Sequence, residues 1–209
     1  WAIGDRIIAG GKEGAFAEQA VMPATSLTAL PATFSYDEGA CWRAGAQTAW
    51  HSLHDKAQLA AGESVLILGA SGGVGMAAVM LARHIGAFVI ATGSTLEKRA
   101  AVLDAGADHV LDPAADDLAD QVKALTSGKG VDVVYDPVGG DLSMKATRSI
   151  AWGGRFLIVG FASGIIPKFP ANHAMIKGYS LIGLRAGESS RRDPQLAART
   201  KTALAALAE

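Results

Sequence analysis

Residues 64–92, S-V-L-I-L-G-A-S-G-G-V-G-M-A-A-V-M-L-A-R-H-I-G-A-F-V-I-A-T, constrain the fold more than any other stretch of the chain. Residues 65–68 are a short apolar run of strand formers, 69–75 are rich in glycine, and 74–85 carry helix formers on a nearly continuous apolar face. Residues 88–91 read as a second buried strand, so the stretch is one βαβ unit of about thirty residues. Gly72 and Gly73 have no Cβ to hold a ligand away, so backbone N–H groups there can approach a pyrophosphate. The helix N-terminus turns its partial positive charge on the same anion. Ala70-x-Gly72-Gly73-Val74-Gly75 departs from a strict G-x-G-x-x-G at its first position, but it lies between a strand and a helix, as the motif requires. Ala70, Ser71, Gly72, Gly73, Val74 and Gly75 are therefore predicted to cradle a dinucleotide.

The rest of the chain repeats the alternation. A helix over 95–105 ends at Gly106, a third strand spans 109–111, and an amphipathic helix covers 116–126. Strands at 131–135, 154–159 and 180–184 follow, with a helix over 141–150 after the first of them and another over 194–208 at the end. Six strands alternating mostly with helices indicate an α/β fold built on a doubly wound parallel sheet, whose ligand crevice lies beyond the carboxyl ends of the strands. Upstream, 3–8 and 15–21 alternate like two short strands joined through 10–14, in a hairpin or a looser pair. Residues 23–31 lead to a helical region over 37–59, broken near Gly45 and opened by a capping box of Ser35 and Glu38. Trp1 in place of Met and the uncapped end at Glu209 suggest a fragment.

The end of the second strand sets the cofactor preference. An NAD site places Asp or Glu there to bond the ribose 2′-hydroxyl. This chain has Thr92-Gly93-Ser94-Thr95, with Lys98 and Arg99 one turn into the next helix. Hydroxyls and cations without a carboxylate suit a 2′-phosphate, so NADPH is expected over NADH, with Ser94 and Lys98 in contact. The fourth strand ends in Asp136-Pro137-Val138-Gly139-Gly140 and the fifth in Val159-Gly160-Phe161-Ala162-Ser163-Gly164. Val138, Gly139, Gly160, Phe161 and Ala162 are expected to line the nicotinamide half, where glycine allows close backbone approach and an apolar wall excludes water.

Composition excludes several partners. The 19 basic and 20 acidic residues are mixed throughout, leaving a formal net charge of -1 and no basic stripe for nucleic acid. Arg83 and His84 interrupt the most apolar stretch, so no membrane span is expected, and the first residues lack a signal-peptide pattern. One cysteine, Cys41, makes no internal disulfide, fits a cytoplasmic protein, and reads as a small buried hydrophobe.

Several separated motifs then carry a resemblance. Gly4-Asp5-Arg6 through Gly14-Ala-Phe-Ala-Glu18, the A-S-G-G-V-G turn, Tyr135-Asp-Pro-Val-Gly-Gly-Asp141 and Gly153-Gly-Arg-Phe-Leu-Ile-Val-Gly-Phe161 occur in order across the chain. Together they resemble the zinc-independent quinone oxidoreductase branch of the medium-chain dehydrogenase/reductase superfamily. The resemblance implies an NADPH-dependent reductase, usually a dimer, in which a GroES-like β domain packs on a Rossmann domain. Residues 1–31 would be the tail of that β domain and 32–209 the NADP-binding domain with its connecting helices. It further implies Thr48 beside the nicotinamide carboxamide, Gly72, Gly73 and Val74 at the pyrophosphate, and Lys98 at the 2′-phosphate. Many relatives have Tyr near the adenosine after the third strand, where this chain has Pro113. Where a zinc alcohol dehydrogenase of the superfamily has a ligand Cys, four residues before that threonine, this chain has Ala44.

Without a Lewis acid, the expected acceptor is one that spreads incoming charge over its own conjugation, a quinone or an enone. An enoyl-thioester reductase on the same fold, or a nucleotide-binding protein without turnover, are the alternatives. His51 and His54 could share a metal, but no third ligand is evident. No Ser/His/Asp or Cys/His set and no obligatory proton donor stand out, and water can serve. A homodimer through an edge strand at 180–184 is expected from the fold likeness.

Overall fold

The computed structural model describes residues 1–10 and 14–208; Gly11, Lys12 and Glu13 of the predicted connecting loop, and Glu209, lie outside them. The sheet grows from the βαβ unit: β3 (Ser64–Ile67), α2 (Gly73–Ile85) and β4 (Phe88–Thr92). It is completed by β5 (His109–Leu111), β6 (Val131–Asp136), β7 (Ile150–Ile158) and β8 (Ser180–Gly183). The order is β5-β4-β3-β6-β7-β8 with every neighbouring pair parallel. The strand order reverses between β3 and β6, which places a crevice at their carboxyl ends.

The strands are apolar throughout because helices cover both faces. Val65, Ile67, Val133 and Tyr135 point to one side, where they pack with Leu53, Val79 and Val102. Leu66, Leu68 and Val134 point to the other, against Leu118, Val122 and Ala146. The second face is covered by α4 (Leu118–Leu125) and α5 (Gly140–Thr147), with α6 (Ala171–Lys177) beside β7. On the first face, α1 (Tyr36–Ala49) runs into a π-helical turn, Trp50–Lys56, and packs on α2. α3 (Leu96–Asp104), capped by the Thr95 hydroxyl, follows β4. α7 (Ala186–Arg192) and α8 (Pro194–Leu207) follow β8. No helix is long and apolar enough to cross a membrane among the described residues.

The capping box forms as read: Glu38 N–H donates to Ser35 Oγ at 3.1 Å and Ser35 N–H to Glu38 Oε2 at 2.7 Å. Four expectations need correction. Residues 15–21 form no strand; Ile7–Ile8, here β1, pairs antiparallel with Thr28–Ala29, here β2. Phe16 and Val21 are fully exposed, with no apolar face to hold that segment extended. α1 is not broken at Gly45, because a Cβ there would lie 2.9 Å from Gly73 O; this glycine permits close helix packing. The helix expected over 141–150 ends at Thr147, and Ile150 already pairs with Val131 in β7, its side chain buried in the second core. Cys41, on α1, is exposed rather than buried. Two short helices, α6 and α7, carried no clear apolar period and were not expected.

Candidate functional site

At the end of β3 the chain turns under the start of α2. Gly69 N–H donates to Thr92 Oγ1 at 3.0 Å and Ala70 N–H to Thr92 O at 3.2 Å, so the buried Thr92 pins the turn to β4. This role for Thr92 was not foreseen; its signal was a hydroxyl at the end of an otherwise apolar strand. A Cβ on Gly75 would meet Gly69 O at 2.5 Å and Ala70 Cα at 2.7 Å, so only glycine lets the helix sit this close to the strand. The first helical bond is Met76 N–H to Gly72 O at 2.8 Å. The N–H groups of Gly73, Val74 and Gly75 precede it and have no acceptor among the described residues. Apart from its chain neighbours and its own helix backbone, nothing lies within 4 Å of where a Cβ on Gly73 would stand. Free donors beside open space fit an anion such as a pyrophosphate. Ala70 is buried beneath the turn, while Ser71 is half-buried and Gly72 exposed.

Beyond β4, Ser94 and Lys98 are exposed neighbours, with Lys98 Nζ 3.5 Å from Ser94 Oγ. Arg99 is engaged differently: its guanidinium bonds Asp112 Oδ2 at 3.0 Å. The Ala114 amide, and after it Arg99, hold the Asp112 carboxyl below the usual carboxylate range. Of the two cations read from the sequence, Lys98 is the one turned to solvent beside the serine.

Two further loops close the crevice. Asp136, buried at the end of β6, accepts from Val138 N–H at 2.8 Å and Gly139 N–H at 2.9 Å on one oxygen and from Ser143 Oγ on the other. Residues 159–165 are fastened to this loop by Val159 N–H to Asp136 O at 2.9 Å, Ala162 N–H to Pro137 O at 3.0 Å and Gly140 N–H to Ile165 O at 2.9 Å. Gly139 is buried, and its Cβ would lie 2.7 Å from Ile165 O. That glycine permits the close packing of the two loops. Val138 lies across the base of the β3–α2 turn, with its Cγ2 2.7 Å from where a Cβ on Gly69 would be.

Thr48 lies near the carboxyl ends of β7 and β8. It borders a hollow of about 320 Å³ with Ser52, Val159, Leu184 and Arg185. An adjoining hollow of about 440 Å³ is lined by Gly160, Phe161, Lys56, Arg185 and Ser189. Larger hollows, about 650 Å³ among α1, α2 and α8 and about 450 Å³ beside β1 and β2, contain only Gly73 of the predicted cofactor residues. The site is defined by free amides and strand ends rather than by volume. Tyr135 is wholly buried, with its hydroxyl 3.5 Å from Val74 O, and burial pushes its phenol pKa upward.

The histidines on the π turn are not assembled for a metal. His51 and His54 both address Asp55, and no group of three or more His, Cys, Asp or Glu able to hold a metal occurs among the described residues. His51 also meets Ser189 at 3.2 Å, a Ser/His/Asp grouping that the sequence did not reveal because its members lie 138 residues apart.

A six-stranded parallel sheet in the order β5-β4-β3-β6-β7-β8, with open amides at its first crossover, is a Rossmann-type fold. The family model described as zinc-binding dehydrogenase matches residues 73–203. The chain belongs to this family, within the quinone oxidoreductase-like part of the medium-chain dehydrogenase/reductase superfamily. The quinone oxidoreductase-like protein 2 homolog of Nematostella vectensis is 38% identical over 92% of this chain and 53% of its own length. Quinone oxidoreductase of Pseudomonas syringae pv. tomato DC3000 superposes with a TM-score of 0.85 at 30% identity, covering 98% of this chain and 63% of that one. The Thermus thermophilus quinone oxidoreductase, whose structures include an NADPH complex, gives 0.82 at 29% identity over 96% and 63%. CurK enoyl reductase gives 0.77 at 28% identity over 86% and 53%. The chain thus spans about half the length of the curated relatives it matches.

Proposed function

We propose that this chain is the nucleotide-binding part of an NADPH-dependent reductase that passes a hydride to a quinone or related conjugated carbonyl without a metal. The observation that carries this reading is three amides, at Gly73, Val74 and Gly75, unpaired among the described residues at a helix start whose Gly73 is exposed, together with a β4 that ends in Thr92-Gly93-Ser94 without a carboxylate and is followed by Lys98. These amides would hold the pyrophosphate, and Ser94 with Lys98 the 2′-phosphate. Thr48, Val138, Gly160, Phe161 and Ala162 would wall the nicotinamide half and keep water from it, with Gly139 shaping the loop. When bound, the nicotinamide supplies the hydride. The chain's own contribution is then position and orientation.

The metal-free part of the proposal is supported by Ala44, which offers no ligand one helical turn before Thr48. A quinone or enone needs less help from a Lewis acid than an alcohol does, because its conjugation disperses the charge. We assign residues 1–31 to a catalytic β domain and 32–209 to the Rossmann domain. A homodimer would form through β8, a sheet edge with exposed Leu181. The likeness to CurK enoyl reductase favours an enoyl-thioester acceptor as the second reading.

Two measurements on the full-length protein test this. Steady-state NADPH oxidation with 1,2-naphthoquinone and with crotonyl-CoA separates the two readings, and turnover of neither contradicts both. Lys98→Ala is expected to weaken NADPH by about 1 to 3 kcal/mol, as for a charge-assisted contact, and to leave NADH almost unchanged. Equal losses for the two cofactors would remove the 2′-phosphate assignment.

A further inference from the structure

The fold assembles a line of polar side chains that the hydride step does not use. His51 is buried, with Nε2 at 3.2 Å from Ser189 Oγ and Nδ1 at 3.4 Å from Asp55 Oδ2. The other carboxylate oxygen, Asp55 Oδ1, is 3.0 Å from Nδ1 of His54. His54 is exposed and stacks on Trp50, ring centroids 4.2 Å apart. At the other end, Ser189 borders the 440 Å³ hollow with Gly160 and Phe161, beside the carboxyl end of β7. The line therefore runs from solvent to the cleft without a break.

Local structure explains how it forms. The π turn closes with Ala57 N–H to Ser52 O at 2.9 Å, and it carries His51 and His54 on either side of Asp55. α7 is tied to α1 by Gln47 Nε2 donating to Ser190 Oγ at 2.8 Å, which sets the adjacent Ser189 against His51. Lys56 on the π turn and Arg185, just before α7, are the charged groups lining the hollow with Ser189. Glu188 borders the neighbouring hollow, and Arg192 and Arg191 hold its carboxyl below the usual range. Arg155 on β7 is spent on Ala57 O and Glu63.

We propose that His54, Asp55, His51 and Ser189 are a proton relay, with Ser189 handing the proton to a conjugated carbonyl substrate. The inference rests on the reductase reading. When a hydride has added to the β-carbon, the C=C electron pair shifts to the α-carbon and carbonyl oxygen. The Ser189 O–H then gives its proton to that anion, and Ser189 Oγ takes the Nε2 proton of His51. His51 takes a proton at Nδ1 from Asp55 in its carboxylic acid form, Asp55 is reprotonated from water through His54, and turns of the carboxyl and the imidazole restore the starting Oδ2–H and Nε2–H before the next turnover. The sum is one hydride and one solvent proton added across C=C, with no further oxidant or reductant. Ser189 as an acyl-transfer nucleophile fits less well, because its own N–H is bonded to Arg185 O at 2.9 Å and is not free to stabilise an oxyanion.

The experiment uses the full-length protein and reads turnover in H₂O and D₂O together with histidine ¹⁵N NMR of the cofactor-free protein. Ser189→Ala and His51→Gln should lower kcat for crotonyl-CoA by about 100-fold or more, leave KM for NADPH unchanged and alter the solvent isotope effect. Naphthoquinone turnover should fall far less, since its hydroquinone anion takes a proton on oxygen from water, and Ser189→Thr should restore most of the crotonyl-CoA rate. Without cofactor, Asp55→Asn should move the imidazole nitrogens of both His51 and His54, and Ser189→Ala those of His51 alone. Unchanged crotonyl-CoA turnover and isotope effect in Ser189→Ala, or His51 resonances indifferent to Asp55→Asn, would overturn the relay while leaving the reductase intact. Wild-type reduction of naphthoquinone but not crotonyl-CoA would also overturn it, because no carbon would await the proton. Reduction of neither would overturn the reductase reading and the relay with it.

Discussion

Two glycine turns at the carboxyl edge of the sheet use the same residue for opposite purposes. At the end of β3, Gly73 has nothing but its chain neighbours and its own helix backbone within 4 Å of its missing Cβ, and its N–H and the next two have no acceptor among the described residues. At the end of β6, Gly139 is walled by Ile165 O at 2.7 Å from the same notional atom, and its N–H is spent on Asp136. One turn is left open toward solvent; the other is a joint that fixes the 159–165 loop. Glycine in a strand-end loop therefore signals a ligand only when both its amide and the space at its Cα are free.

Substitutions at the three glycines test this contrast. Gly139→Ala should cost the most, about 2 to 5 kcal/mol of stability, because φ is +78° and the methyl meets backbone. Thermal or urea unfolding would show it, and a loss under about 1 kcal/mol would mean that the two loops are not locked together. Gly75→Ala should cost about 1 to 3 kcal/mol, since its overlap is with the Ala70 and Gly69 backbone but its helical φ is ordinary. Gly73→Ala should change stability least, by about 0.5 kcal/mol or less, while weakening NADPH about tenfold, or about 1.4 kcal/mol. If it destabilised the fold as much as Gly75→Ala, the space at Gly73 would be structural and not a ligand's.

What the sequence disclosed and what it withheld divide along the range of the interactions. The βαβ unit, the six-stranded parallel sheet and the Ser35–Glu38 box depend on periodicity and on residues three or four apart, and all were legible. Gly45 looked like a helix break because its reason for being glycine is Gly73 O, 28 positions away and on another helix. Residues 15–21 had strand alternation but no neighbouring strand to complete it. Gly139 and Gly160 sat in the loops that the topology named, yet their neighbours are each other's loops, which no local pattern encodes. His51 and His54 read as a pair that could share a metal, because their spacing does not show that both rings turn to Asp55. Ser189 was invisible until α7 carried it to His51.

The proposed reductase depends on the free amides of the β3–α2 turn receiving the cofactor's pyrophosphate. The most direct measurement is amide NMR of the full-length protein on addition of NADPH, comparing the two glycine turns. Gly73, Val74 and Gly75 are expected to show the largest displacements, while Val138 and Gly139, already bonded to Asp136, move little. Still amides at Gly73, Val74 and Gly75 in a saturated complex, or the larger response at Val138 and Gly139, would contradict it.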